Sequence, residues 1–597
     1  MQINRSAVFV FLLLGAIAAL YGQFLHNPTV FDDLYFFMRD NEGHLAIEKY
    51  ANPSLLDLRA LPYATLAWSA QLFGFDMLPF RVENLLLHWL VVAALALFVL
   101  RLYRMMLLNP SVRGEPFDFV RPELVEGEND AQESPVEPHF TSTLPLVLRE
   151  VEGAGRTALK ADTAQANTGM NTAVLVSVSL FALHPVAVYA AGYLVQRSIV
   201  MATLFSVLAL WAYLHGSNER SKAWLGLSVV LYFLATHSKE HVIMLPTIMV
   251  AMTVLVHEDW RARLRRNWPV FAGYLAVALL TVAQIRGVIG HAYEINSAEM
   301  LGGVLPENSY FYSVLTQSWL FFKYGMLWLL PNPGWLSVDM REPLAQGVFS
   351  VYGAAMLAYL LYGFIALKLL LKRGRAGLVG FALLFPWLMF ATEFSTVRIQ
   401  EIFVLYRSYI WALGGVILLP LVLMQLNARL TVMVSVLCAA TLFMISMERL
   451  ASFSHPILLW DDAEKLVSDR QSLPGVSRIY YNRGTELLKV NQFDRALADL
   501  QTTTRLDPKW SAGFGNLGAV YYKTSKNELA IQALSRAIEL DSQQKAPANF
   551  KYYYGRASAY EASGQWREAA VDYKASCLLN GKMGCDKASH IVPLEFK

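Results

Sequence analysis

Apolar runs long enough to cross a bilayer recur through most of this chain, and nothing else in the sequence restricts its folding so strongly. A window of ~19 residues finds them at 6–24, 80–103, 171–190, 198–214, 224–235, 242–256, 269–288, 351–371, 378–390, 406–426 and 430–447. A backbone inside hydrocarbon must satisfy its own hydrogen bonds, so these runs are expected to be helices. Charge agrees. Only 16% of residues are charged, against about 25% in soluble proteins, so many segments lack a solvated face. A net charge of +3 gives no basis for a nucleic-acid partner.

Basic residues indicate how these helices are threaded. Arg101 with Arg104, then Arg261, Arg263, Arg265 and Arg266, then Lys372, Arg373 and Arg375 form the clear clusters, and such clusters mark cytoplasmic loops. A further run, 314–330, decides whether they agree. Counted from a cytoplasmic N-terminus, the third cluster falls inside only if 314–330 does not cross. Asn332, Pro333 and Gly334 beside it suit a re-entrant or membrane-edge segment. The count is then about 11 spans, an odd number, which places the C-terminal region outside the cytoplasm. The first run lacks a small-residue cleavage site and is expected to be an uncleaved anchor. Residues 105–169 are polar and rich in Glu, Pro and Arg, as in a disordered cytoplasmic insertion.

After Arg449 the composition changes. Gly484, Ala496 and Leu506 recur as Gly518, Ala530 and Leu540, a spacing of 34 residues that is the period of tetratricopeptide repeats. Asp507 and Pro508 end the first unit, and a third unit fits with Ala557 and Ala569. The expected fold is therefore all-α: a polytopic membrane domain over 1–448, a linker over 449–476, and a soluble α-solenoid of about three repeats over 477–597. Such arrays bury their helices against one another and present a concave face to a partner. Tyr480, Tyr481, Tyr521, Tyr522 and the tyrosines at 552–554 either line that face or pack beneath it. Cys577 and Cys585 are spaced so that they can pair if the tail meets an oxidising compartment, whereas Cys438 reads as a packed thiol.

Ionisable residues at membrane depth are functional candidates because their desolvation is costly. They gather here at the expected extracytoplasmic ends of the runs. Asp32 and Asp33 follow the first run, and two adjacent carboxylates among apolar residues suit a general base, a cation ligand or a helix cap. His184 and Arg197 bracket one later turn. His237, Lys239, Glu240 and His241 occupy the next, and Arg398, Glu401, Tyr406 and Arg407 a third. Cations facing carboxylates suit a phosphate-bearing substrate, while each cation alone can simply anchor its helix.

The same residues carry a family resemblance. Phe31-Asp-Asp33, Arg59-Ala-Leu-Pro62, Leu72-Phe-Gly-Phe-Asp76 and Asn84-Leu-Leu-Leu-His88 come first. His184-Pro185, Val195-Gln-Arg197, Ser238-Lys-Glu240 and Leu245-Pro246 follow, then Glu401, Tyr406-Arg-Ser-Tyr409 and Trp460-Asp461. In this order they resemble the transmembrane and tetratricopeptide-repeat O-mannosyltransferases and their bacterial relatives, within the GT-C glycosyltransferase superfamily. The resemblance implies inverting transfer of a sugar from a polyprenyl-phosphate donor to a hydroxyl on the extracytoplasmic face, in a bacterial inner membrane with the repeats in the periplasm. It implies a catalytic role for Asp32, with Asp33 as orienting partner or alternative base. His184, Arg197, Lys239, Glu240, Glu401, Tyr406 and Arg407 become substrate-binding candidates. The expected partners are the bilayer, the lipid-linked sugar and a protein acceptor such as a pilin or secreted protein. No cofactor follows from the residues, and a divalent metal has no support among them. Tyr189 stands where many relatives have Glu or Gln, and Tyr406-Arg-Ser-Tyr-Ile410 replaces the usual Tyr-Leu-Pro, so sugar and acceptor are open. Transfer to a lipid or envelope glycan, or a non-catalytic scaffold for envelope assembly, are the competing readings.

Overall fold

The computed structural model describes residues 5–38, 45–54, 56–108, 168–287, 289, 307–399, 401–543, 548–579 and 582–591. The polar insertion expected at 105–169 lies mostly outside them. Among the described residues every regular element is a helix, apart from one isolated bridge between Met340 and Phe403. The apolar runs anticipated above are mainly helical, although 171–190 forms two helices bent by 64° and 406–426 forms a short 3-10 turn followed by helix Leu413–Leu423. The ambiguous run is one continuous helix, Ser309–Leu329.

Among the described residues six helices are long and apolar enough to cross a membrane: Met77–Met106, Leu194–Glu219, Trp268–Ile285, Val351–Lys372, Gly374–Ser395 and Ala428–Ser452. A pair bent by 64°, Thr168–Ala182 and Pro185–Ala191, brings the number to seven if it forms one span. Phe11–Gly22, Glu240–Val256 and Leu413–Leu423 are shorter apolar helices. Leu357, Leu360, Leu361 and Phe364 on one spanning helix and Val432, Met433, Val436 and Met444 on another are openly exposed. Apolar surface this extensive needs a cover, and lipid supplies one.

Helix Arg197–Glu219 fixes the two ends of the bundle, which its rise separates by about 34 Å. At its C-terminal end Glu219 meets Arg101 at 3.8 Å, and Arg263 donates to the Ser217 carbonyl at 2.6 Å. His257 lies at the same end. Burial and the charges of Arg263, Arg373 and Arg266 press its pKa down to about 4. All three basic clusters therefore lie toward one end of the bundle. At the opposite end the Val195 N–H reaches Asp33.

The C-terminal part is a stack of antiparallel helix pairs, Ser477–Lys489 with Phe493–Leu506, Ser511–Lys523 with Asn527–Gln543, and Phe550–Ala562 with Trp566–Leu578. Close approach within each pair depends on its small residues. A Cβ on Gly484 would lie 2.9 Å from Leu500, and one on Gly518 would lie 2.5 Å from Leu534. Arg483 grips Asp499 through two 2.8 Å bonds in the first pair, and Arg556 repeats the grip on Asp572 in the third. Helix Lys582–Ile591 closes the stack, tied to the preceding helix by a Cys577–Cys585 disulfide. Residues 449–476 are well packed: helix Pro456–Lys465 buries Ile457, Leu459, Trp460 and Ala463, and the core of the membrane part continues through Trp460 into Ile479 and Tyr480. The first repeat is thus seated directly on the membrane part.

Candidate functional site

The acidic pair opens the short helix Asp32–Phe37, and the residue before it is strained. Phe31 sits at φ 53°, ψ −121°, a conformation costing a side-chain-bearing residue about 1–3 kcal/mol. Its ring is held by Trp460 edge-on at 5.0 Å, by Tyr193 at 6.2 Å, and by the Arg478 guanidinium at 4.6 Å. Successive side chains on a helix point about 100° apart, so the two carboxylates diverge. Asp33 is fully buried, and its Oδ1 accepts from the Val195 N–H at 2.9 Å. Burial lifts its pKa to about 7 against the opposing charge of Arg81. Arg81 itself binds the chain around the pair, donating to the carbonyls of Asn27, Pro28 and Gly192.

Asp32 instead lines a small pocket with Phe31, Tyr193, Val338, Asp339, Met340, Glu401, Phe403, Val404, Tyr406 and Arg478. The Tyr193 hydroxyl accepts from the Asp32 N–H at 2.8 Å. Burial and then Glu401 raise the Asp32 pKa to about 6, while Arg478, Tyr193 and Lys239 pull the other way. A carboxylate poised there is ionised at neutral pH yet basic enough to take a proton.

Around this pocket the loops at 336–345 and 396–409 carry an ion-pair network. Glu401 receives Arg407 Nη2 at 2.9 Å. Burial would raise Glu401, but Arg407, Arg478, Arg398 and Lys239 together hold it below the usual glutamate range. Arg407 also reaches the buried Glu393 at 3.2 Å, which takes Arg398 at 2.8 Å and faces His241 at 3.4 Å. Lys239 lies over the Tyr406 ring at 5.4 Å, within electrostatic reach of Asp32 and Glu401. Burial and the neighbouring Arg59 lower its ammonium to about 7. Glu240 is bound by Arg59 one layer out from the pocket.

The structure therefore brings Asp32, Glu401 and Tyr406 to one pocket, with Lys239 and Arg407 at its border. His184 and Arg197 stand elsewhere. His184 Nδ1 accepts from the Val186 N–H at 3.2 Å, capping helix Pro185–Ala191, while the ring stacks on Trp328 at 4.3 Å. Arg197 spends its guanidinium on Glu83 at 2.7 Å, Asn84 at 2.6 Å, Thr65 and the Phe80 carbonyl. Both are committed inside the protein. Among the described residues no group of three His, Cys, Asp or Glu side chains is placed to hold a metal ion. Asp339, Glu393 and Arg478 escaped the sequence reading. Glu393 lay just beyond an apolar run, and Arg478 looked like one more charge on a soluble repeat.

Residues 481–545 and 516–576 match the tetratricopeptide repeat family, covering all three helix pairs. The C-terminal part is thereby a tetratricopeptide-repeat array, a fold associated with binding other proteins. Comparison with curated proteins gave no match.

Proposed function

We propose that the chain is an integral-membrane glycosyltransferase of the GT-C type, moving a sugar from a polyprenyl-phosphate donor to a Ser or Thr hydroxyl of an extracytoplasmic protein. The observation that carries this reading is Asp32, a carboxylate of raised pKa in a pocket that Arg478 lines, with Lys239 within electrostatic reach, at the end of the bundle opposite the basic loops. Asp32 takes the acceptor hydroxyl's proton, and the oxygen attacks the anomeric carbon from the face opposite the phosphate. The bond from that carbon to the phosphate oxygen breaks with inversion, and the electron pair leaves with the polyprenyl phosphate. Lys239 stabilises the phosphate as it departs, and Arg407, paired with Glu393 and Glu401, holds the loop beside it. Asp33 supports the Asp32 turn.

About 11 spans put the repeats on the same side as this pocket, in the periplasm of a bacterial inner membrane. The Cys577–Cys585 bridge supports an oxidising compartment. The array then holds a protein acceptor close to Asp32 and raises its effective concentration. Intact masses of secreted and envelope proteins, taken from cells with and without the chain, test the reading. Sugar-sized increments that require the chain are expected. Unchanged protein masses beside an altered envelope glycan or lipid would move the acceptor to that class, and no change in either would remove the transferase reading.

A further inference from the structure

Arg478 belongs to the first turn of helix Ser477–Lys489, the first helix of the repeats, yet it lines the pocket that holds Asp32. Its guanidinium stacks on the strained Phe31 at 4.6 Å, and its Nε lies 3.6 Å from Asp339 Oδ2. The chain entering this helix is fastened to the membrane part at the same place. Arg341 is buried and holds both oxygens of Asp339 at 2.6 Å, and its Nη1 donates to the Pro474 carbonyl at 3.3 Å. Gly475, at φ +73°, packs on that guanidinium where any side chain would collide with it. A flexible tether would need none of these contacts. They fix one side chain of the repeat domain against the backbone that aims Asp32.

We propose that the first repeat is part of the transfer site: Arg478 is a positioning residue that holds Phe31, and so Asp32, in place and supplies the positive charge facing that carboxylate. Transfer then depends on the seated repeat even for an acceptor too small to touch the rest of the array. The inference rests on the glycosyltransferase reading for its consequence, but its physical content is the coupling between Arg478 and Asp32. The other groups facing Asp32 are Glu401 and Tyr406 from the loop at 396–409, Lys239, the Tyr193 hydroxyl and the adjacent Asp33. Of the cations in that set, Arg478 alone comes from the repeats. Arg478 lowers the Asp32 pKa, so its removal raises it and leaves more of the base protonated at a given pH.

The test uses the purified full chain in lipid nanodiscs. The Asp32 carboxyl is titrated by infrared difference spectroscopy, its band assigned by disappearance in Asp32→Asn. Kinetics use a short serine-containing peptide with a short-chain polyprenyl-phosphate hexose. Arg478→Gln is expected to raise the carboxyl midpoint by about one pH unit and to lower kcat more than it changes KM. Arg478→Lys is expected to restore most of the midpoint. Arg478→Met keeps the stem on Phe31 and carries the test if the Gln variant does not fold. A folded Gln or Met variant with an unmoved midpoint overturns the coupling, whatever its activity. A raised midpoint in a chain whose wild type transfers no sugar upholds the coupling and removes the transferase reading instead.

Discussion

The acid side of the pH–rate profile is where the pocket's electrostatics become measurable. An ordinary aspartate titrates near 3.9 and would still be over about nine-tenths ionised at pH 5. Asp32, lifted to about 6 by burial and by Glu401, would be only about one-tenth ionised there. Since the base must be ionised to accept the hydroxyl proton, kcat/KM should fall about tenfold per pH unit below about pH 6. Glu401→Gln removes the like charge that helps raise Asp32, so the acid limb should move to lower pH. On the alkaline side Lys239, near 7, loses its charge, so phosphate stabilisation should weaken as pH rises beyond that. Initial rates of peptide glycosylation in nanodiscs, measured from about pH 4 to 9, give both limbs. An acid limb near pH 4, or one that Glu401→Gln leaves in place, would refute the assignment of Asp32 as a base tuned by this pocket.

Other substitutions test the frame around it. Asp33→Ala strands the buried Val195 N–H and should cost about 1–3 kcal/mol, read as a lower unfolding temperature, whereas Asp32→Asn should leave that temperature nearly unchanged. Glu393→Gln leaves Arg398 and Arg407 without their shared buried counter-charge and should cost about 3–5 kcal/mol; wild-type thermal stability would contradict that network. Gly518→Val drives a side chain into Leu534 and should cost the array about 1–3 kcal/mol in denaturant titration, with the membrane part unaffected.

What could be read from the sequence followed from local rules. Long apolar runs favour helices, and a 34-residue period of small residues lets paired helices pack closely, so the all-helical fold and its repeats were legible, whereas the breaks within 171–190 and 406–426 were not. Spacing could not separate the roles of similar side chains. His184 beside Pro185 looks the same in sequence whether it caps a helix or faces a ligand, and only its bond to the Val186 N–H decides. Arg197 resembled a phosphate ligand until Glu83 and Asn84 were seen to occupy it. Asp32 and Asp33 are neighbours with equivalent side chains, and only the packing around their helix shows that one lines the pocket while the other is buried on the Val195 N–H. Arg478 was invisible because its partners, Phe31 and Asp339, lie in distant parts of the chain.

The central claim is that Asp32 transfers a sugar to protein, and one comparison addresses it directly. Cells lacking the chain are complemented with wild type or with Asp32→Asn, the variant is checked for wild-type level, membrane insertion and unfolding temperature, and intact masses of the envelope and secreted proteins are recorded. The account predicts sugar-sized mass increments restored by wild type and absent with the folded Asp32→Asn protein. The same increments in both strains would contradict it.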